Sequence, residues 1–139
     1  MHPLVALLIP VLMLFHLVGP VPGDLGVRNG QLSPCPGTAH CAEDLWESTD
    51  PEADLGRLSL LISDLPRSLI VEKTENYRHA EVSSAFFGFV DDLELLALED
   101  AIQVRSISRL GDSDLGVNSQ RLAVLRDGLS GATERKPRP

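Results

Sequence analysis

Apolar and polar positions alternate between residues 86 and 108 in a way that predicts a β-hairpin. Two apolar-rich runs, 86–98 and 101–108, are separated by Glu99 and Asp100, which are typical turn residues. A two-residue turn fixes the register of the paired strands. That register collects mostly apolar side chains on one face of the hairpin, and we expect this inner face to pack against helices.

The same register divides the charged residues of the hairpin between its two faces. Asp92 and Glu94 fall on the outer face, where Glu94 lies opposite Arg105. We interpret Glu94 and Arg105 as an ordinary cross-strand ion pair, worth roughly 0.2–1 kcal/mol. This interpretation treats the outer face as solvated.

Asp91 is the acid of the hairpin that points toward the expected core. It lies opposite Ser108, and a bare carboxylate is costly to bury. Arg109 and Arg121 are candidate partners for it. Two interpretations stay open, namely a structural acid that fixes a loop and a functional acid at the end of the sheet.

Helical periodicity predicts one helix before the hairpin and one after it. Asp50 is suited to cap the first helix, with Pro51 at its first position, and Pro66 ends it. Its apolar face comprises Leu55, Leu58, Ile62 and Leu65.

Asp114 or Asn118 is suited to cap the second helix. The apolar face of that helix comprises Val117, Leu122, Leu125 and Leu129, and Gly128 or Gly131 is expected to end it.

Two short strands, 69–73 and 77–82, precede the long hairpin. Tyr77, His79 and Glu81 share a face of the second strand, which we interpret as a solvated sheet face. The predicted fold class is α+β: an antiparallel sheet of about four strands with two helices packed on one face. A single domain spanning 24–131 is expected, followed by a basic, proline-rich and disordered tail over 132–139.

The first 23 residues form a hydrophobic segment without any Asp, Glu, Lys or Arg. Its apolar run from Leu4 to Val21 is close to the length that spans a bilayer, so a cleaved signal and a retained anchor both stay open. Gly23 to Gln31 is glycine-rich and polar, and is interpreted as a linker. The segment predicts a membrane-associated or exported protein.

Charge narrows the choice of partners. The formal net charge is -8, all of it beyond the hydrophobic segment. Nucleic acid is not expected as a partner, because its binding depends on Lys and Arg neutralising phosphates. The same negative charge argues against docking on anionic lipid.

Cys35 and Cys41 are the two cysteines of the chain. In an exported protein such a pair predicts a disulfide, which across so short a loop would contribute about 2–3 kcal/mol. The alternative is a metal site formed by both cysteines with His40 and with His79. The spacing is not that of a zinc motif, so no metal site is assigned.

Three segments in order, SPCPGTAHC, FFGFVDDLE and VRSISRLGDSDLGVN, resemble the uncharacterised bacterial and plastid family known as domain of unknown function 1499. The resemblance covers residues 25–129. It implies an exported or membrane-anchored envelope protein, on the periplasmic side of a bacterial inner membrane, and no established activity.

The family pattern falls on Cys35, Cys41, Phe87, Gly88, Phe89, Asp91, Asp92, Glu94, Arg105, Ser106, Ser108, Arg109, Asp114, Gly116 and Asn118. Four positions depart from it: His40 replaces a usual Asn, Leu95 an aromatic residue, Asp112 a Tyr and Ser119 an Arg. The segment between Cys41 and the first helix looks shortened, which implies the loss of a strand.

Two functions are consistent with these residues. The first is a non-enzymatic module that binds a small ligand or an envelope protein at the sheet end near Asp91, Arg109 and Asn118. The alternative is a hydrolase in which Asp91 or Asp92 acts as acid or base, with help from Asp114 and with or without a metal ion. The candidate binding residues are Asp91, Asp92, Arg105, Ser108, Arg109, Asp114 and Asn118. No cofactor is expected.

Overall fold

The computed structural model of the protein describes residues 19–85, 88–111 and 113–134. In chain order the elements are β1 (Val27–Arg28), β2 (Gln31–Leu32), β3 (Cys41–Glu47), α1 (Pro51–Asp64), β4 (Ser68–Lys73), β5 (Tyr77–Ser83), β6 (Val90–Ala97), β7 (Ala101–Ser108) and α2 (Val117–Glu134). The α+β class is confirmed. Most of the predicted hydrophobic segment, residues 1–18, lies outside the described residues, as do residues 135–139 of the predicted tail.

The predicted hairpin forms as β6 and β7 in the predicted register. Asp91 lies opposite Ser108 and Glu94 lies opposite Arg105. The turn closes where the Leu98 amide donates to the Ala101 carbonyl at 2.8 Å. β6 begins at residue 90 rather than at residue 86.

The main sheet has five antiparallel strands in the order β3-β7-β6-β5-β4, so the prediction of about four strands was too low. The segment before the first helix, where the resemblance implied the loss of a strand, contains β3. β3 is an edge strand in which Cys41 and Trp46 are the buried residues. Its sequence therefore lacks the regular alternation that marks a half-buried strand.

Both helices pack on one face of the sheet, as predicted. The core between them comprises Trp46, Leu55, Leu58, Ile62, Ala80, Leu93, Leu95, Ile102, Val104, Leu122 and Leu125. Burying a side chain of this kind contributes about 1.5–3 kcal/mol. The predicted N-cap of α1 is also confirmed, since the Asp50 carboxylate accepts a hydrogen bond from the Ala53 amide at 3.1 Å.

α2 does not end at either predicted glycine. It continues through Gly128 and Gly131 to Glu134, so the predicted tail begins with helix. A Cβ added at Gly128 would lie 3.1 Å from the Leu61 side chain. The glycine therefore allows α1 and α2 to approach closely. Val117, expected in the core, is 45% exposed at the start of the helix.

Residues 19–34, here called the strap, cross the outer face of the sheet. The strap includes β1 and β2 and occupies the segment that was predicted to be a linker. The Gly26 amide donates to Glu94 at 2.7 Å, and the Leu32 amide donates to the side chain of Gln103 at 2.9 Å. The strap therefore covers a sheet face that the sequence analysis treated as solvated.

No helix in the described residues is both long and apolar enough to cross a bilayer.

Candidate functional site

The sheet separates the candidate residues into groups that do not share a surface. Asp91, Ser108, Asp114 and Asn118 lie on the helix side, at the end of the sheet where α2 begins. Arg105 reaches Asp24 in the strap, so it lies on the opposite side. Asp92 and Arg109 contact each other on that opposite side as well. The expected grouping of Asp91 with Arg109 is therefore wrong.

Asp91 is paired with Arg121, one of the two partners predicted for it. Arg121 donates to the Asp91 carboxylate at 2.8 Å, and the two side chains remain 11% and 12% exposed respectively. The pair therefore offers both a donor and an acceptor at a surface that solvent reaches.

Asn118 organises the polar contacts behind this pair. Its side-chain amide donates to Ser108 at 2.8 Å and to Asp114 at 2.7 Å. Its side-chain oxygen accepts hydrogen bonds from Ser106 at 2.7 Å and from Arg121 at 2.9 Å. Since Asn118 is completely buried, it attaches the start of α2 to β7 and orients the guanidinium of Arg121.

Asp114 completes the start of α2. Its carboxylate accepts from the amides of Gly116 and Asn118 as well as from the Asn118 side chain. Burial alone would raise the pKa of Asp114, but these hydrogen bonds outweigh burial and lower it. Of the two residues predicted to cap this helix, Asp114 therefore does so, as a carboxylate.

Two neighbouring clefts open beside Asp91, which lines both of them. The larger has a volume of about 520 Å³ and is also lined by Arg67, Ser84, Gln120, Arg121 and Val124. The smaller has a volume of about 280 Å³ and is also lined by Phe89, Ser108, Leu110, Ser113 and Leu115. Ser84 and Val117 line both clefts. Each cleft thus combines a small polar centre with apolar walls.

Asp92 lies on the strap side, in a cluster with His79, Arg109 and Glu81. His79 Nε2 is 2.7 Å from Asp92, and Arg109 donates to Asp92 at 2.8 and 2.9 Å. A further hydrogen bond joins Arg109 to Glu81 at 2.9 Å. The Asp92 side chain is fully buried and that of His79 is 9% exposed. Tyr77 is 3% exposed, so the prediction of a solvated face for Tyr77, His79 and Glu81 was wrong for the tyrosine and the histidine.

Electrostatics keep Asp92 ionised. Burial alone would raise the pKa of Asp92, but the hydrogen bonds from Arg109 and His79 outweigh burial and lower it. The hydrogen bond between Arg109 and Asp92 also raises the pKa of Arg109. The ion pair is therefore charged throughout the physiological pH range.

Glu94 and Arg105 form a second charged cluster beneath the strap. Arg105 donates to Glu94 at 2.9 Å, and the Tyr77 hydroxyl donates to Glu94 at 2.7 Å. The Glu94 and Arg105 side chains are 0% and 1% exposed. The predicted cross-strand pair is confirmed in register, but its interpretation as a surface contact was wrong. Removing one partner of a buried pair costs about 3–5 kcal/mol.

Asp24 ties this cluster to the strap, because Arg105 donates to its carboxylate at 2.8 Å. That hydrogen bond lowers the pKa of Asp24. Burial would lower the pKa of Arg105, but Asp24 and Glu94 outweigh it and raise the value. Burial and Glu94 together raise the pKa of Tyr77. Asp24 lies in the segment predicted to be a linker, and nothing in its local pattern indicated this contact.

The predicted disulfide between Cys35 and Cys41 is confirmed, with Cα atoms 5.7 Å apart. Disulfide sulfurs are not the thiolates that bind zinc, so the alternative metal site with His40 and His79 is not formed. In the part of the chain that the structure describes, no group of three or more His, Cys, Asp or Glu side chains is arranged to bind a metal ion.

These features define a disulfide-bonded α+β domain. On one face of its sheet, a strap covers two buried charged clusters. On the other face, at the end of the sheet where α2 begins, two clefts open. Residues 31–129 match the family model described as "Protein of unknown function (DUF1499)". The chain belongs to this family, as the sequence resemblance indicated. No curated protein and no solved structure gave a significant match.

Proposed function

We propose that the domain is a non-enzymatic module that binds a small ligand in the clefts beside Asp91. The observation that carries this proposal is the Asp91–Arg121 pair, which lines the larger cleft and remains accessible to solvent. Ligand sites are typically clefts of this size with apolar walls and a few placed polar groups.

The chemistry of the clefts indicates the kind of ligand. Arg121 supplies charged donors and Asp91 a charged acceptor, while Val117 and Val124 supply exposed apolar surface. A ligand that carries both a hydrogen-bonding group and an apolar part would use all of these features. Because Asn118 and Ser106 orient Arg121 beforehand, little side-chain ordering remains to oppose binding.

The site can be tested with two arginines of the same helix. Arg121→Gln removes the donor in the cleft, whereas Arg126→Gln removes an arginine that pairs with Asp44 at 3.5 Å and is 60% exposed. The full chain and both variants are purified natively, and their extracts are compared by mass spectrometry. We expect a small molecule that accompanies the wild type and Arg126→Gln but not Arg121→Gln. Equal retention by both variants would remove Arg121 and its cleft from the site.

We also propose that the protein is exported or membrane-associated, on the periplasmic side of a bacterial inner membrane. Two features support this location: the uncharged apolar segment over residues 1–23 and the Cys35–Cys41 disulfide. Disulfides persist mainly in oxidising compartments. Fractionation of expressing cells should place the chain in the membrane or the periplasm, and recovery in the cytosol with free thiols would contradict the location.

A carboxylate-dependent hydrolase is the second candidate. The contact of 2.7 Å between His79 and Asp92 favours it, because paired His and Asp side chains serve as acid–base groups in enzymes. The lowered pKa of Asp92 makes that carboxylate a weak base. A broad hydrolase screen, with and without divalent metal, should be negative if the domain only binds. Turnover that is lost in His79→Gln would establish the enzyme instead.

A further inference from the structure

The smaller cleft lies at an end of the domain where several apolar side chains are exposed together. Leu115 is 93% exposed, Val117 45% and Phe89 38%, and all three line this cleft with Leu110. Contiguous exposed apolar surface on one part of a domain is a mark of an interaction site.

The backbone at Leu115 strengthens this observation. Its φ angle is 54°, in the left-handed region that leucine rarely adopts. Glycine or asparagine would occupy this position with less strain, and either would expose less apolar surface. A leucine that is both strained and almost fully exposed therefore indicates a side chain that contacts something outside the domain.

The course of the chain indicates what that partner is. A Cβ added at Gly19 would lie 2.7 Å from the Leu110 side chain, so the strap begins directly against this end of the domain. The residues immediately before it, 1–18, contain no Asp, Glu, Lys or Arg. Val21, two residues after Gly19, is 61% exposed. The hydrophobic segment therefore joins the domain beside the exposed apolar end.

We propose that this end of the domain, with Leu110, Leu115 and Phe89, rests on the surface of a lipid bilayer. The inference rests on the proposed membrane association. It involves the rim of the smaller cleft, whereas Arg121, which carries the ligand proposal, lines the larger cleft. Partial insertion of apolar side chains into the boundary between headgroups and acyl chains supplies the attraction. With a net charge of -8, the domain gains nothing from anionic lipid, so neutral phosphatidylcholine is sufficient.

Tryptophan fluorescence in the full chain tests this contact. The native Trp46 is 3% exposed and supplies a constant background. Leu115→Trp places a reporter at the proposed contact, and Leu60→Trp places one on α1, where Leu60 is 70% exposed and lines neither cleft. Each variant is reconstituted into phosphatidylcholine vesicles with and without bromine on the acyl chains.

We expect the added emission of Leu115→Trp to be blue-shifted and quenched by the brominated lipid, and that of Leu60→Trp to be unaffected. Both results should be the same at low and high salt, because the contact is apolar. If the chain floats with the vesicles but neither reporter is quenched, the docking proposal fails. Attachment through the hydrophobic segment would then account for the membrane association. If the chain does not float with the vesicles, both the docking of this end and the membrane association fail, and export to the periplasm is left as the location. Quenching that requires anionic lipid would contradict an apolar contact.

Discussion

Leucine at position 115 is unfavourable for the stability of the domain and favourable for the proposed contact with the membrane. Leu115→Asn should raise the free energy of unfolding by about 1 kcal/mol, because asparagine tolerates the left-handed backbone that strains leucine. Leu60→Asn is the matched control, since Leu60 is also exposed but lies in a helix, where asparagine is disfavoured by about half a kcal/mol. Chemical denaturation measures both, and equal destabilisation would show that the left-handed backbone stores no strain.

Some contacts of the candidate site could be predicted from the sequence, and others could not. The partner of Asp91 could be predicted, because the register fixed its face and few arginines were near enough. Its separation from Arg109 was missed, although Arg109 continues the alternation of Arg105 and Ile107 and so falls on the face of Asp92. Asp24 could not be found at all, as it contacts Arg105 across 81 residues of sequence.

At the scale of elements, the strap changes the outer face of the sheet into a second buried layer. Leu32 of the strap packs with Tyr77 and Leu96 of the sheet in a small apolar cluster. The sequence hid this layer because Gly23 to Gln31 has no apolar periodicity. The charges on the outer face of β5, β6 and β7 gave no signal for the strap, because charged side chains are mostly solvated and are costly to cover.

The disulfide fastens Cys35, the residue after the strap, to Cys41, the first residue of β3. Reduction, or replacement of Cys35 and Cys41 by alanine, should lower the free energy of unfolding by about 2 kcal/mol, as expected for a loop with a sequence separation of 6. Denaturation of oxidised and reduced protein measures the change. Intact mass after alkylation should show both thiols masked before reduction and free after it. No change in stability on reduction would mean that the strap is fixed without the disulfide.

Prediction of the fold succeeded where local signals were strong. The tight turn fixed the β6–β7 register, and Asp50 with Pro51 marked the start of α1. It failed at β3, which is exposed at one edge of the sheet, and at the end of α2, where Gly128 serves helix packing against Leu61. In both cases the deciding contact is distant in sequence, so the local pattern could not reveal it.

For the whole molecule, the free energy of unfolding depends on pH, because ionised carboxylates form ion pairs and a helix cap. The pKa values of Asp24, Asp92 and Asp114 are lowered below their ordinary value of 3.8. Their contribution is complete above that value and is lost as the pH falls through the lower folded-state values. The free energy of unfolding should therefore decrease as the pH is lowered from about 5 to about 2.

Denaturation at a series of pH values measures this decrease, and Asp24→Asn should make it shallower. Because Asp24 is in the strap and its side chain is 39% exposed, this variant should still fold. A stability that does not change across the acid range would contradict the lowered pKa values.

The adjacent carboxylates Asp91 and Asp92 lie on opposite faces of the sheet, and we assign them different roles, ligand binding to Asp91 and stabilisation of the fold to Asp92. Asp91 lines two clefts with 12% of its side chain exposed, whereas the Asp92 side chain is fully buried against Arg109. Denaturation of Asp91→Asn beside Asp92→Asn tests the division directly. We expect a loss of about 3–5 kcal/mol for Asp92→Asn, because a buried arginine loses its partner, and of at most about 1–2 kcal/mol for Asp91→Asn. Equal losses for the two variants would contradict this difference in roles.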